Sequence, residues 1–109
     1  MEFEGTWHIK EMSQWDEDYF NMEVQAYIEV DSHNSGEFQF GLVSGSIDGK
    51  IVKHLGKKRF EFSWDGTDEN DPASGRGWLQ IQSDNNNIID GEFIFFEGDE
   101  STFIAHKYE

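Results

Sequence analysis

Asp65-Gly66-Thr67-Asp68-Glu69-Asn70-Asp71 is the densest run of carboxylates on the chain, and oxygen ligands spaced around a glycine turn are what calcium requires. Asp65, Asp68 and Asp71 are the candidate ligands. The spacing departs from an EF-hand, which closes on a bidentate glutamate at its twelfth position, so a solvated acidic turn is the plainer reading. Asp68 or Asp71 can instead pair with Arg76, which Gly75 and Gly77 leave free to aim. His8, His33, His54 and His106 lie far apart, without a His-x-His pair, and become neighbours only if the strands bearing His8 and His106 meet. With no cysteine, no Gly-x-Ser-x-Gly elbow, no phosphate loop and no dinucleotide fingerprint, the chain reads as a non-enzyme without a cofactor. Carboxylate pairs are too common in so acidic a sequence to single one out.

Charge is distributed unevenly. The 109 residues carry 8 basic and 23 acidic side chains, a net of -15. Five of the basic residues, Lys50, Lys53, Lys57, Lys58 and Arg59, fall in one ten-residue window that also holds His54 and no acid. Without that window, 3 basic residues face 23 acidic ones, a net of -20. Phosphate backbones are repelled by such a body, so nucleic acid is not an expected partner. A basic hairpin on an acidic body either relieves self-repulsion or docks, and docking joins it to a protein partner or to a second copy as a homodimer. Lys53, Lys57, Lys58 and Arg59 are the charged members of that expected surface, and Trp78 and Phe96 its aromatic ones. Trp64, Arg76 and Trp78 are the alternative: a small-ligand site at the mouth of the fold.

The elements that must position these residues are strands. Period-two alternation recurs along the whole chain, most clearly from Met22 to Asp31, where Met22, Val24, Ala26, Ile28 and Val30 alternate with polar neighbours. Turn residues break the runs every 8 to 12 positions or so. The pattern predicts eight strands near 3–12, 22–31, 36–44, 46–53, 58–65, 76–83, 88–97 and 100–107. It predicts one short helical turn near 13–20, capped by Ser13, and a polar loop from Gly66 to Ser74 that holds Pro72, the only proline. The fold class is therefore all-β: a single domain over 1–109, an antiparallel up-and-down meander. Closure into a barrel removes the two exposed edges that an open sheet would leave.

Candidates for the interior are Phe3, Trp7, Ile9, Val24, Ala26, Ile28, Val30, Phe38, Phe40, Leu42, Phe60, Phe62, Trp64, Leu79, Ile81, Phe93, Phe95, Phe103 and Ala105. An eight-stranded barrel is just wide enough to be filled by side chains or to hold one small ligand, and so many rings favour filling. Clustering of Ala26, Gly41, Gly91 and Ala105 would instead open a pocket. Trp15, Tyr19 and Phe20 are expected to cover the outside of the wall.

Two resemblances rest on particular residues. Gly5-Thr6-Trp7 on the first strand resembles the Gly-x-Trp start of calycin barrels, the lipocalins and avidins. That likeness implies an indole closing the barrel floor beside a cation from the last strand, here Lys107 or His106, and it implies architecture rather than biotin binding. Trp15-Asp16-x-Asp18-Tyr19, Phe38-x-Phe40-Gly41-x-Val43-x-Gly45, Phe60-x-Phe62-Ser63-Trp64-Asp65-Gly66-x-Asp68 and Asp71-Pro72-Ala73-x-Gly75-Arg76-Gly77-Trp78 resemble a family of small uncharacterised bacterial proteins. This implies a bacterial, cytoplasmic origin and carries no activity across. No apolar run is long enough to span a membrane, and Met1-Glu2-Phe3-Glu4 lacks a signal-like start. The leading expectation is a binding or protein-interaction module with an acidic surface. Calycin-like small-molecule binding follows it, and an acidic inhibitor that mimics nucleic acid comes third.

Overall fold

Alternation becomes a barrel because each strand finds a neighbour on both sides. The computed structural model describes residues 2–108. Its strands are β1 (Gly5–Met12), β2 (Tyr27–Val30), β3 (Ser35–Phe40), β4 (Val43–His54), β5 (Lys57–Asp68), β6 (Asp71–Gln82), β7 (Asn85–Phe95) and β8 (Glu100–Lys107). They pair antiparallel in chain order, and β1 closes on β8. Among the described residues the one helix, α1 (Glu17–Phe20), lies between β1 and β2. Among the described residues no helix is long and apolar enough to cross a membrane.

The interior is filled with rings. β3 and β7 stand on opposite sides of the barrel, yet the Phe38 and Phe93 ring centroids are 4.7 Å apart and those of Phe40 and Phe93 4.9 Å. Phe93 also stacks on Phe103 at 4.9 Å. The small residues open no pocket here: Ala26 and Ala105 are fully buried, the Tyr19 ring occupies the space beside Gly41, and the Phe103 ring that beside Gly91. Leu42, Ile81 and Phe95 are only partly buried, whereas Phe20, Val43, Ile47 and Ile89 join the core.

Both ends are closed. At the lower end, which holds the β4–β5 turn, Trp7 Nε1 donates to the Phe3 carbonyl at 3.0 Å, and Lys107 Nζ lies 5.3 Å from the Trp7 ring. The cation over the indole is Lys107, because the register sets it opposite Trp7 while His106 pairs with His8. At the upper end Trp15 spans the opening, 5.3 Å from Phe40 and 6.0 Å from Phe95. The Tyr19 hydroxyl accepts from Leu42 N, and the Phe20 carbonyl from Gly41 N. Trp15, Tyr19 and Phe20 therefore plug the barrel rather than cover its wall.

Several boundaries differ from those the pattern predicts. β2 begins at Tyr27, not near 22, and Met22 and Val24 are exposed. Alternation makes a strand only where a partner is present, and β1 pairs with β2 from Gly5 to His8 before its Ile9/Glu11 bulge. Residues 21–26 form a loop instead, tied by Asn21 Oδ1 accepting from Ala26 N at 2.8 Å. Ser13 does not cap the helix: Asp16 does, accepting from Tyr19 N, while the Ser13 hydroxyl accepts from Thr102 N. The expected loop 66–74 is the tip of a long β5–β6 hairpin, whose two-residue turn is Glu69-Asn70. Pro72 is tolerated because β6 meets β7 only from Gly75 onward, which leaves that stretch at an edge.

Candidate functional site

A filled lumen with two closed ends moves recognition to the outside, and the register sorts the candidates. Trp64 points inward and is 3% exposed, edge-on to Phe38 at 5.3 Å and to Phe95 at 5.0 Å. Arg76 and Trp78 alternate onto the outer wall. Trp64 and Arg76 line one groove on the wall, whereas Trp78 lines the neighbouring one, so the three do not share a single barrel mouth.

On the outer wall Trp78 is held by its neighbours. The Arg59 guanidinium lies 4.0 Å from the indole centroid, its Nε and Nη2 donating to Gln80 Oε1 at 3.3 and 3.2 Å. Trp78 Nε1 donates to Glu92 Oε1 at 2.9 Å. This strip across β5, β6 and β7 fixes the orientation of the indole and leaves it half-buried at the edge of a groove. The Arg76 guanidinium, by contrast, makes no hydrogen bond, ion pair or ring contact among the described residues. It stands between two grooves. One, of about 610 Å³, runs over Lys50, Glu61, Ser63 and Trp78; the other, of about 580 Å³, runs over Trp64, Gly75, Ile94, Phe95, Phe96 and Glu97. In the second, Phe96 is 74% exposed. The Nε1–H of Trp64 is buried without a partner, 2.9 Å from where a Cβ on Gly75 would stand. An unpaired buried donor costs about 1–3 kcal/mol.

The basic window forms the β4–β5 hairpin. Its turn is Leu55-Gly56, both at positive φ (51° and 82°), and Leu55 is 91% exposed. Lys53 sits directly opposite Lys58, and His54 opposite Lys57. Lys58 reaches Glu2 at 3.1 Å, and both side chains are exposed. The expected surface of Lys53, Lys57, Lys58, Arg59, Trp78 and Phe96 is therefore not one patch. The three lysines belong to the lower tip, Arg59 and Trp78 to the wall, and Phe96 to the upper end beyond β7, because β5 and β7 each run the length of the barrel.

The calcium reading meets a correction. Asp65, Asp68 and Asp71 lie in paired strands, where Asp65 faces Ser74 and Asp68 faces Asp71, so alternation turns Asp65 away from the other two. Among the described residues no group of three or more His, Cys, Asp or Glu is placed to hold a metal ion. Arg76 pairs with neither Asp68 nor Asp71. His8 and His106 are neighbours, as closure requires, and His8 stacks on Tyr108 at 4.5 Å. Burial, and secondarily the charge of Lys10, holds His8 below its ordinary value.

Compared with known proteins, the chain matches no family model, no curated protein and no solved structure. Function rests on geometry. Two features escaped the sequence reading: Leu55 as an exposed tip, and Ile94 and Phe95 as groove walls beside Phe96. A signal existed for the first, since a leucine before glycine between two lysine runs conflicts with ordinary turn chemistry. None existed for the second, which depends on where β7 ends.

Proposed function

We propose that the protein is a non-enzymatic interaction module that docks the β4–β5 hairpin on an acidic protein surface. The observation that carries this reading is Leu55: 91% exposed, at positive φ, on a tip of opposed like charges. A left-handed conformation costs a non-glycine residue about 1–2 kcal/mol, and the like-charge pair of Lys53 opposite Lys58 is destabilising as well. Three unfavourable local choices converge at this tip, offset within the molecule by the exposed pair of Lys58 with Glu2. All three are relieved together by a partner that buries the leucine and neutralises the lysines. The filled lumen also favours a surface over an internal ligand.

The test is a titration of the full chain with an oligoglutamate peptide, followed by amide NMR at low and high salt. Shifts confined to residues 50–59, lost near 1 M salt where the Debye length is about 3 Å, are the expected result. An unperturbed hairpin, or equal perturbation around the whole barrel, sinks the proposal.

A further inference from the structure

The acidic surface that fits this hairpin is present on the molecule itself, at the opposite end. We infer that the Phe96 groove of one copy receives the Leu55 tip of a second copy, so that the chain associates head to tail; this rests on the hairpin-docking reading above.

Three properties of the groove match the tip. Its walls are apolar, with Ile94, Phe95 and the 74% exposed Phe96 around a space of about 580 Å³, wide enough for the leucine together with the turn that carries it. Its surroundings are acidic. Glu97 lines it, Asp99 closes the turn beyond it through a carbonyl bonded to Phe95 N, and Asp65 projects from the residue paired with Ser74 on its rim. These carboxylates are placed to meet the lysines that flank Leu55. Finally, the groove holds donors without acceptors: the free guanidinium of Arg76 on the rim and the orphaned Nε1–H of Trp64 beneath Gly75. Backbone carbonyls exposed at a hairpin turn are suitable acceptors for the Arg76 guanidinium.

A single molecule cannot make this contact with itself. The barrel is 37 Å long, the tip lies at its lower end, and the groove lies at its upper end. Contact between unlike surfaces is heterologous, so it propagates into open chains unless the rotation closes a ring. Salt dependence is non-monotonic. Near 0.01 M the Debye length is about 30 Å, comparable with the molecule, and the net charge of -15 on each copy keeps copies apart. Near 0.15 M it is about 8 Å, which screens the bodies and leaves the contact, and near 1 M the contact is screened as well.

Sedimentation velocity of the full chain over a wide concentration range tests this, with Leu55→Asp and Phe96→Asp as the variants. Both side chains are exposed, so both variants fold, which circular dichroism verifies. The parent is expected to show a sedimentation coefficient that rises with concentration near 0.15 M salt, and each variant alone is expected to stay monomeric. Mixed in equal amounts, the variants are expected to form a dimer and nothing larger, because one retains its groove and the other its tip. A parent whose sedimentation is independent of concentration at every salt overturns the inference, as does a mixture that stays monomeric. Oligoglutamate binding by the hairpin in a strictly monomeric parent defeats only the self-docking. Failure of both defeats the hairpin reading as well.

Discussion

The upper plug and the lower hairpin differ in how well local chemistry agrees with global structure. At the upper plug every choice agrees. Asp16 caps α1, Glu17 and Asp18 place negative charge in its first turn, Phe20 is 2% exposed, and Trp15 bridges strands on opposite sides of the lumen. At the lower hairpin the choices conflict: a leucine takes a conformation suited to asparagine or glycine, its side chain meets solvent, and its strands align lysine with lysine. Agreement across levels marks residues selected for folding, and conflict marks residues retained for another reason. The plug thus closes the fold, whereas the hairpin holds an exposed leucine in a strained turn.

Substitutions at the two ends should therefore move stability in opposite directions. The largest effect belongs to Phe20→Ala, which empties a buried site in the plug; a loss of about 3 kcal/mol in urea unfolding is expected, in line with phenylalanine truncations in cores. A loss below about 1 kcal/mol would mean that the plug is superficial. Leu55→Asn should instead gain about 1 kcal/mol, since Asn-Gly is the preferred pair for such a turn and no burial is forfeited. The same variant should bind oligoglutamate less well, and a loss of stability would show that Leu55 serves the fold after all.

The smallest effect sharpens the comparison by probing the wall between the ends. Burial, and then the bond to Glu37 Oε2 at 2.9 Å, pushes the Tyr27 hydroxyl from its ordinary 10.0 up to about 12. A raised value means that the folded protein holds the proton more tightly than the unfolded chain. This contribution is complete below pH 10.0 and is lost as the pH rises towards about 12. Tyr27→Phe should flatten that alkaline limb of the stability profile while leaving the plug and the hairpin unaffected; an unchanged limb would assign it to other groups.

Much of the fold could be read along the chain. Phe38 and Phe40, Phe60, Phe62 and Trp64, and Leu79 face inward as their alternation requires, and the number of rings in the sequence fits the filled interior. The segment with the clearest alternation, 22–31, is a strand only over its second half, because Val24 has no strand to lie against. Asp65 to Asp71 reads as a loop because its residues are polar, yet it is the tip of a hairpin, where the backbone pairs and the side chains stay wet. The candidate site was legible in part. Charge spacing along the chain singles out Arg76 and the hairpin lysines, but the register alone sets Arg76 at mid-wall opposite Ser63 and the Leu55 tip half a strand away from it.

Side-chain alternation, turn residues and the placement of charge are local properties, and they alone determined an all-β chain with an aromatic core and one basic hairpin on an acidic body. Pairing is not local. Which strands meet, where β1 leaves β2 for β8, how α1 reaches across the opening, and which residues stand at opposite ends all depend on contacts between distant segments. Only the closed barrel could place a strained, exposed leucine at one end and an apolar, acid-rimmed groove at the other.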